Sequence, residues 1–287
     1  MSASTDDLNV FPPTTRPAAP SLSIQPLVGA AAWMGRAGAT LCLALLFPLS
    51  LFGLWWITAD RHWIAEQILP SPAFVWESFQ IVWDSGELLG HVRYSAVRVG
   101  WSLLFGGGSG LLLGFAMGLS PRIKAYVFPT FNGLAQLPVL GWIPLLIIFV
   151  GIEEALKLSA ISIAVVVPAT LNTLHGIEQI PRSLLEVGQV YGFNTWQRLR
   201  HIVLPATVPS LFTGLRQGVM QAWLTVIFVE LLSSSEGLGF FMAYSRAIAQ
   251  IDMVIVAMFV IGAAGVVIEL SLRLIESRLH GWRRTAF

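Results

Sequence analysis

Charge is scarce in this chain: only 11% of its 287 residues are Asp, Glu, Lys or Arg, against roughly a quarter in ordinary soluble domains. The 17 basic and 16 acidic residues leave a formal net charge of +1, so no basic field exists to hold a nucleic acid backbone, and nucleic-acid partners are excluded. Cysteine is nearly absent. Cys42 stands alone, which rules out an intrachain disulfide framework and a cysteine-ligated metal cluster; inside an apolar run it reads as a small buried hydrophobe. The five histidines, at 62, 91, 175, 201 and 280, include no pair at ligand spacing such as i and i+4, so no metal is expected. A G-x-x-x-x-G-K-[ST] phosphate loop is also missing: the glycine run Gly106-Gly107-Gly108-Ser109-Gly110 lacks the lysine. No cofactor is expected, and no Ser, His and Asp recur at one depth as an intramembrane hydrolase or acyltransferase would need.

What the chain has in abundance is apolar surface, at 55% hydrophobic residues and a mean hydropathy of +0.71. A helix needs about 20 apolar residues to cross roughly 30 Å of hydrocarbon. Windows of that length run over 37–59, 99–121, 125–152, 158–177, 208–232 and 253–272, which predicts an all-α, polytopic membrane protein with six transmembrane helices. Prolines 129, 138 and 144 should bend or break the third. The first window is too long and starts too late for a secretory signal, and no small-residue cleavage site follows Trp55-Trp56. With both termini inside, cytoplasmic segments carry 11 of the 17 basic residues. Outside lie Arg61, Arg93, Arg98, Lys157 and Arg246, with Arg216 inside a helix. The positive-inside rule therefore favours cytoplasmic termini.

Residues 1–30, rich in Ser, Thr and Pro, read as a disordered cytoplasmic tail. In the external segment that follows the first span, LPSP at 69–72 should start a short helix at Pro72. Phe74, Val75, Phe79 and Val82 give it an amphipathic face for the membrane interface, with Trp76 and Trp83 as anchors. Gly106, Gly110, Gly114 and Gly118 share one helix face, the small-xxx-small pattern that lets two backbones approach.

The segment from 176 to 207 is the most informative. Pro181 and Ser183 open a helix through Leu184, Leu185, Val187, Gly188 and Val190 that ends at Gly192. A second begins at Asn194 or Thr195, carries Trp196, Leu199, Ile202 and Val203, and should stop against Leu204-Pro205. Such a two-helix knob, apolar and rimmed by Arg198 and Arg200, invites a partner protein.

Glu186, then Gly192, Ile202, Leu204 and Pro205 match in spacing the signature E-A-A-x3-G-x9-I-x-L-P, with Val187 and Gly188 in place of the alanines. The chain thereby resembles the membrane-spanning permease subunits of type I, binding-protein-dependent ATP-binding-cassette importers. LPSP at 69–72, Ser95 with Arg98-Val99-Gly100, Leu137-Pro138, Ile143-Pro144-Leu145 and Gly237-Leu238-Gly239 look like the branch that handles sulfonates, taurine, nitrate and bicarbonate. The C-terminal stretch with Arg246, Asp252, Glu276 and Trp282-Arg283 is most similar to aliphatic-sulfonate and taurine permeases. The resemblance implies an inner-membrane protein with no catalysis of its own, paired with a second permease copy as a homodimer. Two ATP-binding subunits would dock on cytoplasmic coupling helices at 181–205, and an external solute-binding protein would deliver a small, mostly anionic solute. Within it, 31–98 would hold the first span and external segment, 90–275 a permease core with five spans, and 276–287 a cytoplasmic tail.

For the translocation path the polar candidates are Gln136 and Trp142 flanking the prolines of the third span, Asn172 on the fourth, and Gln217 and Gln221 one turn apart on the fifth. Each serves equally well, on sequence, as interhelical glue. Arg216 can snorkel inward. Glu230 either faces external water or stands at the mouth of the path, and Glu186 is either solvated or bonds backbone amides or an arginine of the ATPase. An ion-coupled secondary transporter would need ionisable groups near the midplane, where only Arg216 is a candidate.

Overall fold

The computed structural model describes residues 45–283, with side chains through Arg278. The expected tail 1–30, Cys42, the opening of the first expected span and the end of the C-terminal tail lie outside the described residues. The chain divides at Ile57/Thr58 into two units. Helix α1, Leu45–Asp60, exposes Leu46, Phe47 and Leu49, and an edge-to-face contact joins Phe52 to Trp55.

From Thr58 onward the described structure is helical, beginning with α2, Pro72–Asp84, whose N-cap Ser71 accepts a hydrogen bond from the Phe74 amide while Pro72 occupies the first turn. Val75, Ser78 and Val82 turn inward, while Trp76 and Trp83 stay exposed. Next come α3, Glu87–Leu119, and a broken pair, α4, Pro121–Ala135, and α5, Ile143–Val150, joined through a single tight turn at Val139–Trp142. The two halves bend by 95°. Pro138 sits at the break and Pro144 in the first turn of α5, whereas Pro129 is accommodated within α4. Helix α6 spans Glu154–Glu178, α7 Arg182–Val190, α8 Thr195–Ser233, α9 Leu238–Ala247 and α10 Ile251–Arg283.

Close glycine contacts fix the direction of each span. A Cβ on Gly106 would lie 2.5 Å from the Ser162 carbonyl oxygen, one on Gly110 2.7 Å from Ala169 Cβ, one on Gly114 2.6 Å from Thr173 Cβ, and one on Gly118 2.5 Å from Ile177 Cδ1. The numbers rise together, so α3 and α6 run parallel with backbones in contact. Without a hydrophobic drive between helices in lipid, such close packing is what holds them together. The Thr170 hydroxyl donates to the Gly110 carbonyl across this seam at 3.1 Å. A parallel pair requires the chain to return between them, so the broken α4–α5 pair carries it from one end of the bundle to the other. Helix α8 runs antiparallel to α6, with Gly176 against Ser210, Gly214 against Asn172 and Gly218 against Val165. Helix α10 opposes α8, with Gly265 against Trp223.

The described residues thus contain four long spans and one broken span; of the first expected span only Leu45–Asp60 is described. One expectation changes. The second elbow helix does not stop at Leu204-Pro205: a widened turn at Leu199–Val203 leads it into the span as one helix. Proline has no N–H and its ring crowds the carbonyl four residues back, and the widened turn directly before Leu204-Pro205 opens that ladder. The Thr207 hydroxyl donates to the Val203 carbonyl at 2.9 Å just beyond it. At the other end of the chain, α10 continues as helix to Arg283.

Candidate functional site

Three constructions stand out. The first is the elbow between α6 and α8. Helix α7 ends in two nested hydrogen bonds, Phe193 N–H to the Gly188 carbonyl at 2.9 Å and Gly192 N–H to the Gln189 carbonyl at 3.0 Å. This is the Schellman arrangement, which needs a left-handed residue, and Gly192 has φ +66°. Two residues on, Asn194 Oδ1 accepts from the Gln197 amide at 2.8 Å and Gln197 Oε1 from the Asn194 amide at 2.9 Å, a capping box that starts α8. Two interlocked terminators within ten residues make a stiff corner. Gly188 rests on Ile202, where a Cβ would meet Cδ1 at 2.6 Å, so the position expected to hold alanine is the contact between the elbow's two arms. Ile177, Ile180 and Val203 anchor the corner to α6, with Phe115, Leu185, Leu199 and Ile202 packed around them. Val187, Val190, Tyr191 and Trp196 remain exposed, Val190 at 86%. Glu186, Leu204 and Pro205 are exposed as well.

The second is a cavity of about 1010 Å³ bounded by the α4–α5 break, α6, α8 and α10. Gln136, Trp142, Gln217 and Gln221 all line it. Asn172 stands one step behind: its Nδ2 donates to Gln217 Oε1 and to the Pro168 carbonyl, each at 2.8 Å. Arg216 also lines the cavity, held by Glu269 and Glu276 of α10. Its charge is met laterally by carboxylates on a neighbouring helix, where the sequence alone suggested snorkelling.

The third is a buried polar cluster at the end of the bundle opposite the elbow, and it holds Glu230, which is not among the residues lining the cavity. The Glu230 side chain is fully buried. Its Oε1 accepts from Arg98 at 2.7 Å, both its oxygens lie within 2.9 Å of Ser95 Oγ, and Oε2 accepts from the Gly239 amide at 3.0 Å. Arg98 also grips Glu154 with two nitrogens, at 2.7 and 3.0 Å, and donates to the Glu236 carbonyl at 2.7 Å. Lys157 closes on Glu154 at 2.7 Å. Arg98 and Lys157, assigned to external segments by counting charges, are buried at the inner edges of α3 and α6. A buried charge survives only when paired and hydrogen-bonded, and the cluster meets that demand by joining α3, α6, α8 and the loop before α9. The signal was present in the sequence: Arg98 and Glu230 each interrupt an apolar stretch, and intramembrane charges come in pairs. Their separation of 132 residues hid the pairing.

Alternating spans, an amphipathic corner at one end and a polar-edged cavity between them define a polytopic membrane permease. Residues 109–281 match the family described as binding-protein-dependent transport system inner membrane component, and the chain belongs to that family, the permease subunits of ATP-binding-cassette importers. It is 30% identical to SsuC of Bacillus subtilis (strain 168), covering 84% of this chain and 87% of that protein, and 32% identical to SsuC of Escherichia coli (strain K12), covering 82% and 89%; both bear the name of an aliphatic sulfonates transport permease protein. It is 29% identical to TauC of Escherichia coli (strain K12), the taurine transport system permease protein, covering 81% and 86%.

Proposed function

We propose that this chain forms the translocation path of an ATP-driven importer for a small anionic solute, an aliphatic sulfonate or taurine, and transmits the work of a separate ATP-hydrolysing subunit. The observation that carries this reading is the elbow: a corner stiffened from both sides, anchored on α6 and continuous with α8, whose outer face of Val187, Val190, Tyr191 and Trp196 is open. Exposed apolar surface on a rigid support suits a protein partner. Two copies of the chain pair as a homodimer, each docking one ATPase subunit through residues 181–205, with Glu186 bonding the partner. Arg122, Lys124, Arg182, Arg198, Arg200 and Arg273 lie toward the elbow end, which supports a cytoplasmic position for that end, and for both termini, in an inner-membrane protein. An external binding protein delivers the solute to the opposite end.

Because α8 leaves the elbow without interruption, a shift of the elbow when the ATPases close on ATP moves Gln217 and Gln221 directly. Gln136, Trp142, Gln217 and Gln221 line the path, Asn172 orients Gln217, and ATP binding supplies the bias between inward-facing and outward-facing states. The test is co-purification with the ATPase together with uptake. Glu186→Lys should abolish uptake and weaken ATPase association while membrane insertion stays intact, and uptake of taurine and hexanesulfonate should exceed that of nitrate in direct competition. Undiminished uptake by the variant would refute the docking assignment.

A further inference from the structure

Arg216 is the one cationic side chain among the residues lining the cavity. A guanidinium has five N–H donors in a fixed fork. Three are engaged: Nε with Glu269 Oε2 at 3.4 Å, one terminal nitrogen with Glu269 Oε1, and the other with Glu276 Oε2 at 2.8 Å. The remaining two have no acceptor among the described residues. Arg273 Nε also donates to Glu269 Oε1 at 2.8 Å, so Glu269 has a second cationic partner. Arg216 thus presents spare charge-assisted donors on a partly exposed side chain.

That combination suits a solute in transit. An isolated arginine in a low-dielectric cavity would hold an anion too tightly to release it, and a neutral wall would not select one. When an oxyanion draws Arg216 away from Glu269, Arg273 remains to hold that carboxylate, so no buried charge is abandoned. Glu269 and Glu276 line the cavity beside the fork, and the rest of its wall is mostly apolar, with Phe131, Val167, Leu171 and Met220. At about 1010 Å³ it reaches the upper end of the roughly 300–1,000 Å³ typical of small-molecule sites, far more than a bare inorganic oxyanion needs.

Resting on the functional reading above, we propose that Arg216 receives the head group of an amphipathic organic oxyanion, a sulfonate on a hydrocarbon chain, while the chain lies against the wall formed by Val167, Leu171 and Met220. Arg216 is then a specificity-determining residue of this subunit, independent of any selection made by the binding protein. Removing one methylene from contact weakens binding by a few-fold, so affinity should climb from ethanesulfonate through butanesulfonate to hexanesulfonate.

The test uses the permease with its ATPase partner in lipid nanodiscs, without binding protein, titrated calorimetrically with those three sulfonates and with nitrate; uptake by the complete importer is measured in parallel. Two variants guard against a folding artefact: Arg216→Lys keeps the charge but loses the fork, and Arg216→Gln combined with Glu269→Gln removes a cation and an anion together. The expected result is chain-length-dependent binding by the unaltered complex and about tenfold weaker hexanesulfonate binding in both variants, the worth of one charge-assisted fork. Equal affinity in unaltered and variant complexes, with sulfonate uptake intact, overturns the role of Arg216 and leaves the transport reading standing. Uptake of nitrate but of no sulfonate by the unaltered importer overturns the transport reading itself, and the head-group assignment with it.

Discussion

The carboxylate of Glu230 fills the space that a β-carbon on Gly237 would need. Gly237 also has φ +111°, a conformation other residues adopt only under strain. Two residues on, a Cβ on Gly239 would strike the Ile227 carbonyl oxygen and lie 2.7 Å from Glu230 Cβ. The loop that leads into α9 is thus folded tightly over a buried acid, and glycine at these two positions is what lets it close.

Gly237→Ala should therefore destabilise the protein by at least about 2 kcal/mol, through backbone strain and overlap with the carboxylate. Gly262→Ala is the control, since nothing lies within 4 Å of the added carbon. Thermal unfolding in detergent, followed by tryptophan fluorescence, should show a lowered midpoint for the first and an unchanged or raised one for the second.

The Arg98–Glu230 pair should display strong coupling. Removing one member of a buried pair leaves the other charged and unpaired, at a cost of about 3–5 kcal/mol, whereas replacing both is far milder. Arg98→Met and Glu230→Gln should each destabilise severely, and the double variant should cost clearly less than the sum of the two. Equilibrium unfolding of the four proteins in a denaturing detergent measures the interaction. Simple additivity would mean that Arg98 is held chiefly by Glu154 and the Glu236 carbonyl.

Along the α3–α6 seam the glycines differ in a way that a substitution series reads out. A side chain at Gly114 would run into Thr173 and the Thr170 carbonyl oxygen, while one at Gly108 meets nothing within 4 Å. Gly114→Leu should cost about 1–3 kcal/mol by forcing two packed helices apart. Gly108→Ala should be neutral or stabilising, because alanine loses less backbone entropy on entering a helix.

How much of this was legible beforehand depends on the range of the interaction concerned. Ser71-Pro72 and Asn194 with Gln197 are read by their immediate neighbours, so the starts of α2 and α8 follow from the sequence. The every-fourth-residue glycines of α3 reveal a packing face because a helix repeats locally, although only the fold names α6 as the partner. Gln217 and Gln221 fall on the cavity for the same reason of periodicity. The surroundings of Glu230 were not legible because they are set by Ser95 and Arg98 on another helix, 135 and 132 residues away. The run-on of α8 past Pro205 was hidden because proline normally marks an end, and the widened turn that absorbs it leaves no composition signal. Helix α9 was missed since ten residues in a connection between two spans are too few for an apolar period to declare itself.

The corner at Gly192 offers the sharpest separation between folding and coupling. Its left-handed φ of +66° costs a residue with a β-carbon roughly 1–2 kcal/mol, and a β-branched side chain is the worst suited. No atom lies within 4 Å of a β-carbon built there, so the cost is conformational and not steric. Gly192→Val should loosen the turn between α7 and α8 while the spans, held by contacts far from it, insert and assemble normally. Gly192→Asn should be tolerated, because asparagine visits the left-handed region more readily than other residues. The expected pattern is normal membrane insertion for both variants, ATPase co-purification retained by Gly192→Asn and reduced several-fold by Gly192→Val. If the valine variant held its ATPase as tightly as the unaltered chain, the stiffness of this corner would have no part in docking.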